Sequence, residues 1–240
     1  MSSPIRLHKI CICIAFGESS VISSAMETEN TAATGLRIGD MPPDFEARST
    51  VGPVKLSDYR GNWLILFSHP ADFTPVCTTE FVELSKQSAE FEKRGCALMA
   101  LSVDSLFSHF AWLRLIKERF DFEVRFPIVE DPTLVIGRAF GMVAPKDNDS
   151  ATVRTTYYID PEGTIRATTC YPANVGRSIH EMLRTLDALQ AIDAQGGLAP
   201  ANWEPGSSLL QPPTHDLDEV YSASDEAGWF LREMPNGKRK

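Results

Sequence analysis

The stretch from Trp63 to Phe81 constrains the fold more than any other part of the chain. It begins as an uninterrupted apolar run, Trp63-Leu64-Ile65-Leu66-Phe67, passes Pro70 and Pro75, and then opens a helical pattern at about Cys77. A short apolar run ended by prolines reads as a buried strand followed by a tight loop and a helix. Cys77 then falls in the first turn of that helix. The first N–H groups of a helix lack partners within it, and the helix dipole adds partial positive charge there. A thiolate is stabilised at such a position, and the thiolate rather than the thiol is the nucleophile. Thr74 stands three residues earlier, placed for its hydroxyl to donate to the sulfur or to a substrate oxygen. The two prolines stiffen the loop and suit it to a small substrate. The pattern asks for a reactive cysteine.

Around this centre the pattern alternates strands and helices. Residues 36–45 read as an extended lead-in, and residues 54–59 as a short strand and turn. The helix opened by Cys77 carries Phe81, Leu84 and Phe91 at helical spacing and is expected to run to Gly95. An apolar strand over 96–103 completes a βαβ unit. A helix over 105–120, with Phe110, Leu113 and Ile116 on one side, a short strand over 126–129 and a helix from Pro132 to about Gly141 follow. After a polar loop at 146–150, a strand over 154–160 turns at Pro161-Glu162-Gly163 into an antiparallel partner over 164–171. The last core helix, 178–193, places Ile179, Met182, Leu183, Leu186, Leu189 and Ile192 on one face. This order predicts an α/β, thioredoxin-like fold with a mixed central sheet flanked by helices. The domain spans 36–195; residues 1–35 form an N-terminal arm, disordered or targeting, and 196–240 a small C-terminal domain or tail rich in Pro, Gly and Ser.

Composition excludes several functions. With 240 residues and 43% hydrophobic content, the chain has ample material for a core without disulfide staples. Its net charge of −9 leaves no basic patch for nucleic acid or anionic membrane beyond Lys238-Arg239-Lys240. Cysteines at 11, 13, 77, 96 and 170 are odd in number and fit neither a disulfide framework nor a zinc site. A reducing, cytoplasmic setting is the reading. The run Ile10-Cys11-Ile12-Cys13-Ile14-Ala15-Phe16 after Arg6 and Lys9 keeps export through residues 1–25 as the alternative, although it falls far below the ~20 residues that span a bilayer.

Pro70-Ala71-Asp72-Phe73-Thr74-Pro75-Val76-Cys77 resembles the Pro-x-x-x-Thr-x-x-Cys active-site signature of the peroxiredoxins. The longer string from His69 to Glu80, together with Tyr171-Pro172-Ala173-Asn174-Val175-Gly176-Arg177, Ala201-Asn202-Trp203 and Met234-Pro235-Asn236-Gly237-Lys238, is similar to the one-Cys branch of that family. The resemblance implies a thiol-dependent peroxidase that reduces hydrogen peroxide and organic hydroperoxides through a cysteine sulfenic acid, in antioxidant defence and redox homeostasis. It also implies an external thiol reductant such as thioredoxin or glutathione. It further implies a homodimer, or a larger ring, whose C-terminal domain packs on a partner subunit, and it calls for no cofactor or metal.

Peroxide reduction needs a thiolate, a cradle for two oxygens, and positive charge where the leaving oxygen becomes anionic. Cys77 supplies the sulfur, with Pro70 and Thr74 beside it. Arg154 opens the strand where the resemblance places the family's active-site arginine, and its planar fork suits contact with thiolate and peroxide at once. Glu80 either orients Arg154 or is an exposed helix residue. Arg177 either approaches the same pocket or serves as a cap or surface ion pair. His69 either makes a hydrogen bond near the site or simply packs at the strand end. Cys96 belongs to the core, and Cys170 is the candidate for a resolving thiol, although the tail lacks cysteine and a one-Cys mechanism is the reading. The rivals are weaker. A thiol–disulfide oxidoreductase needs Cys-x-x-Cys where this chain has Cys77-Thr78-Thr79-Glu80. A lipase-like elbow needs a serine near Gly61-Asn62-Trp63. A Cys–His hydrolase using His69 or His109 shows no oxyanion loop. A redox sensor would use the same Cys77 without turnover, and a holdase chaperone would protect a client even as Cys77→Ser protein.

Overall fold

The computed structural model describes residues 35–143, 151–223 and 227–234. The arm with Cys11 and Cys13, the loop at 146–150 and residues 235–240 of the tail motif lie outside them.

The apolar run becomes the central strand β3 (Trp63–Ser68), all six residues of which are buried. It pairs in parallel with β4 (Cys96–Ser102), which pairs in parallel with β5 (Ile128–Glu130). On its other side β3 meets β6 (Arg154–Ile159) antiparallel, and β6 continues through the Pro161–Gly163 turn into β7 (Ile165–Tyr171). A hairpin of β1 (Glu46–Ser49) and β2 (Gly52–Lys55) attaches to β5, giving the seven-strand order β2-β1-β5-β4-β3-β6-β7. The sheet is mixed, as the alternation of apolar runs and hairpin signals predicts. The β1 partner in this hairpin escaped the sequence reading, because Glu46–Ser49 has a single fully buried side chain, Ser49, and so no apolar alternation.

Helices cover both faces. The helix expected to run unbroken to Gly95 is two pieces, α1 (Pro75–Lys86) and α2 (Ser88–Lys93), separated at Gln87. Ser85 and Ser88 donate their hydroxyls to the carbonyls of Phe81 and Ser85, a back-bonding pattern that bends helices. Helix α3 (Leu106–Phe120) is capped by Ser105, and its buried residues are His109, Trp112 and Ile116, with Leu113 partly buried beside them. Phe110 points outward, 45% exposed, contrary to the expected face. Polar partners decide that rotation: His109 bonds to Asp72 and Trp112 to Thr78. A short α4 (Val135–Ala139) precedes β6, and α5 (Ile179–Gln195) buries Ile179, Met182, Leu183 and Leu186 as the periodicity requires.

Beyond α5 the chain makes short bridges, Leu198 with Leu210 and Leu210 with Glu233, and a short helix α6 (Leu217–Ser222). Two of its side chains are core: Trp203 and Leu209 are buried, and Arg184 of α5 donates to the Trp203 carbonyl. The tail thus anchors on its own chain with little sequence pattern, since two residues spaced six apart show no period.

Candidate active site

Pro75 occupies the first turn of α1 after Thr74, where its missing N–H costs nothing and its fixed φ favours the helix. Cys77 follows two residues later, fully buried, and in this turn its N–H has no carbonyl partner inside the helix. Pro70 is buried in the loop that follows β3. Thr74 departs from expectation in one respect. Its hydroxyl donates to the Ala71 carbonyl at 2.9 Å, so the oxygen faces the site only as an acceptor.

Arg154 opens β6, which lies between β3 and the edge strand β7, and its side chain is fully buried. Nη1 lies 3.3 Å from Cys77 Sγ and 2.8 Å from Glu80 Oε2, while Nε and Nη2 donate to the Ala173 carbonyl at 3.1 and 2.6 Å. A cation therefore faces the sulfur, and its contacts with Glu80 and Ala173 fix its direction. Glu80 stands one turn after Cys77 and is buried, not exposed. Burial alone would push its carboxyl up, but the Arg177 hydrogen bonds and charge, with the Arg154 charge, outweigh it and hold the group below its ordinary value.

Arg177 is also buried. It grips Glu80 through its backbone N–H at 2.7 Å, Nε at 3.0 Å and Nη2 at 2.8 Å, and its Nη1 donates to the Ser68 carbonyl and Thr156 hydroxyl. The alternatives of cap or surface ion pair are thereby set aside. Gly176 lets this loop approach α1: a Cβ there would sit 3.2 Å from Val76 Cγ1. One carboxylate thus holds two guanidinium groups, and three strand-end or helix-start segments meet around the sulfur.

His69 is fully buried and hydrogen-bonded, so both of its alternatives are partly realised. Nε2 lies 3.0 Å from Asp72 Oδ1, and His109 Nδ1 lies 2.8 Å from Asp72 Oδ2. Burial pushes His69 down, against the opposing pull of Asp72. Burial would raise Asp72, yet hydrogen bonds from His109 and His69 bring it to about 2. Among the described residues these three are the one cluster of side chains spaced to hold a metal ion, with ligand atoms within 4.8 Å of one another. The nitrogens nearest the carboxylate already face its oxygens as hydrogen-bond partners, while His69 Nδ1 and His109 Nε2 are buried without a partner, so the three side chains form a hydrogen-bond network centred on the Asp72 carboxylate. Asp72, Trp112 and Thr78 were missed as site residues, and His109 was named only as the base of a rival hydrolase. Asp72 lies within the signature itself, and the partnership with His109, 37 residues away, leaves no mark in spacing.

Comparison with known proteins follows this geometry closely. Residues 38–168 match the AhpC/TSA family, and residues 188–223 match the C-terminal domain of 1-Cys peroxiredoxin. The chain belongs to the peroxiredoxin family. Among its relatives, Peroxiredoxin 2 of Caldanaerobacter subterraneus is 46% identical over 204 residues, covering 81% of this chain and 91% of that protein. The peroxiredoxin of Aquifex aeolicus is 47% identical over 210 residues, covering 81% and 95%. Among solved structures, a cysteine mutant of the peroxiredoxin 6 of Arenicola marina aligns with a TM-score of 0.76 at 33% identity, over 85% of this chain and all of that one (100%). A yeast mitochondrial 1-Cys peroxiredoxin aligns at 0.74 and 39% identity, over 82% and 98%. This peroxiredoxin is a thiol-dependent peroxidase of the one-Cys branch, with the thioredoxin-like architecture its sequence predicts. Among the described residues, no helix of the peroxiredoxin is long and apolar enough to cross a membrane.

Proposed function

We propose that Cys77 is the peroxide-reducing sulfur and that Arg154, Thr74 and the first turn of α1 form its cradle. The observation that carries this reading is the 3.3 Å contact between Arg154 Nη1 and Cys77 Sγ at the start of a helix. The Cys77 thiolate attacks one peroxide oxygen, the O–O bond breaks, and the electron pair leaves on the second oxygen, which takes a proton to become water or alcohol. The Arg154 N–H groups and the Cys77 backbone N–H stabilise the anion as it forms. Thr74 Oγ1, its own proton committed to Ala71, accepts a hydrogen bond from the hydroperoxide O–H and thereby aims the substrate. Pro70 closes the wall behind the loop. Glu80 and Arg177 act through Arg154, holding its guanidinium toward the sulfur. His69 acts one step further out, on the loop.

The sulfenic acid is returned by an external thiol. A thiol of the glutathione or thioredoxin type fits this role, and the aligned yeast protein is described as resolved through glutathione and thioredoxin systems. Cys96 is buried in β4, while Cys170 is exposed and accepts from the Thr155 hydroxyl at 3.6 Å. We read the active species as a homodimer, with a larger ring as the alternative, acting in the cytoplasm, and the segment from 196 onward as the C-terminal domain on the 36–195 core. Exposed Phe107 (75%) and Tyr221 (78%) supply apolar surface for such an assembly.

Peroxide consumption with excess dithiothreitol tests the assignment. Cys77→Ser is expected to abolish turnover while Cys170→Ser retains it. Loss of thioredoxin-coupled turnover in Cys170→Ser, with the first oxidation intact, would replace the one-Cys assignment with a disulfide mechanism. Sedimentation of the intact protein checks the dimer.

A further inference from the structure

A fully buried Cys77 poses a problem for the second half of the cycle. A hydroperoxide group is two heavy atoms long and needs only side-chain-sized motion to enter. Reduction requires a thiol sulfur to approach Cys77 to about 2 Å as the S–S bond forms, the S–O bond breaks, and the hydroxyl leaves as water with the thiol's proton. A peptide thiol cannot do this while the turn at 70–77 stays in place. Something must set how often that turn opens.

The structure shows what pins it. Asp72, in the middle of the turn, is held twice: its carboxylate receives His69 Nε2 at 3.0 Å and His109 Nδ1 at 2.8 Å, and its backbone N–H donates to Asp104 Oδ2 at 2.8 Å. Asp104 is itself fixed by the Ser102 hydroxyl at the end of β4. One turn along α3 from His109, Trp112 stacks on His69 at 5.4 Å and donates to the Thr78 hydroxyl, which donates in turn to the Thr74 carbonyl. Helix α3 therefore holds the turn on both sides of Phe73. Phe73 lies between the two holds with φ at +55° and 54% of its surface exposed. A left-handed backbone at a bulky side chain is strained and persists only where the surroundings enforce it. The turn is a strained segment kept closed by a buried ionic hydrogen bond.

We infer that Asp72 and His109 are positioning residues of the peroxidase cycle: their hydrogen bond keeps the 70–77 turn closed, and its release governs thiol access to oxidised Cys77. The inference rests on Cys77 being the peroxide-reducing sulfur. It assigns the pair no contact with substrate. Its mark is that the two half-reactions move in opposite directions. Peroxide attack needs the closed cradle, and thiol attack needs it open, so weakening the hold slows the first and speeds the second. Mere loss of folded protein would lower both.

Stopped-flow measurement on the full chain separates the steps: oxidation of reduced protein by hydrogen peroxide, then reduction of the preformed sulfenic acid by glutathione. His109→Leu leaves Asp72 short of one charged hydrogen bond, so the glutathione step is expected to rise about tenfold. The peroxide step falls by no more than about threefold, because the Arg154 and Glu80 contacts remain. His109→Asn keeps an N–H donor near the Nδ1 position and is expected to restore both rates. Phe73→Asn, at an exposed position, relieves the left-handed strain without touching the network and is expected to slow the glutathione step about threefold. This second variant decides the matter should His109→Leu fail to fold. Equal falls in both steps for His109→Leu, or an unchanged glutathione step in both variants while sulfenic acid still forms at Cys77, would overturn the inference alone. Absence of any sulfenic acid at Cys77 in the parent protein would instead overturn the assignment of the sulfur.

Discussion

Cys77 and Cys96 lie in the same hydrophobic cluster, each at the start of a regular element and each buried. Their neighbours separate them. Cys96 opens β4 among apolar side chains, and burial pushes its thiol up to about 12. Cys77 opens a helix instead of a strand, and the Arg154 guanidinium stands against it with Glu80 and Arg177 behind. Burial by itself makes a thiol inert; burial beside an oriented cation makes a place for a reacting anion. The difference lies in what the fold brings within about 3 Å of the sulfur, not in how deeply the sulfur is placed.

The sharpest way to break that comparison is to remove each sulfur in turn. Cys77→Ser is expected to bring peroxide consumption to the uncatalysed level, whereas Cys96→Ser leaves it within about twofold. Equal losses in the two variants would show that the surroundings of Cys77 do not distinguish it. Next in size is the support behind the cation. Glu80→Gln leaves two buried guanidinium groups without their carboxylate, so stability is expected to fall by about 3 kcal/mol or more in urea unfolding. The peroxide rate constant should fall about a hundredfold, as loss of an oriented donor to a developing anion does. A peroxide rate within threefold of the parent would detach Glu80 from the chemistry.

A smaller effect belongs to the network beside the site. Asp72 titrates at about 2 in the folded protein against an ordinary 3.8, so its contribution is complete above the unfolded value and lost as pH falls through the folded one. That amounts to about 2 kcal/mol, withdrawn between about pH 4 and pH 2. His69, also depressed, works in the same direction: the folded state prefers it neutral, and stability declines as pH drops below its ordinary 6.5. Acid unfolding of Asp72→Asn should be shallower over pH 4 to 2 than that of the parent, and coincident curves would contradict the network. Smallest of all is Cys96→Ala, a modest loss of buried volume expected to cost about 1 kcal/mol with turnover intact.

Much of this architecture is legible in residue order because its signals are local. Trp63–Ser68 is apolar throughout, Pro75 sits where a helix begins, and Ile179, Met182, Leu183 and Leu186 recur at helical spacing. The break at Gln87 and the outward face of Phe110 were not legible. Both follow from hydrogen bonds whose partners periodicity does not weigh, serine hydroxyls on backbone carbonyls in one case and His109 on Asp72 in the other.

The same division runs through the site. Sequence alone determined that Cys77 would open a helix behind a stiff loop, because proline and apolar runs act on the backbone within a few residues. It also named Thr74, Arg154, Glu80, Arg177 and His69 as the residues to watch. Only the tertiary structure decided that Glu80 is buried between two arginines, that Thr74 turns its proton to Ala71, and that His69 shares a carboxylate with His109. The long-range pairings among them join segments 37 to 97 residues apart, and the Thr74 contact hangs on the rotation of one hydroxyl. Contacts of that kind are set by how the sheet stacks its strand ends and by where buried charge must find its partner, and neither is written in the spacing of residues along the chain.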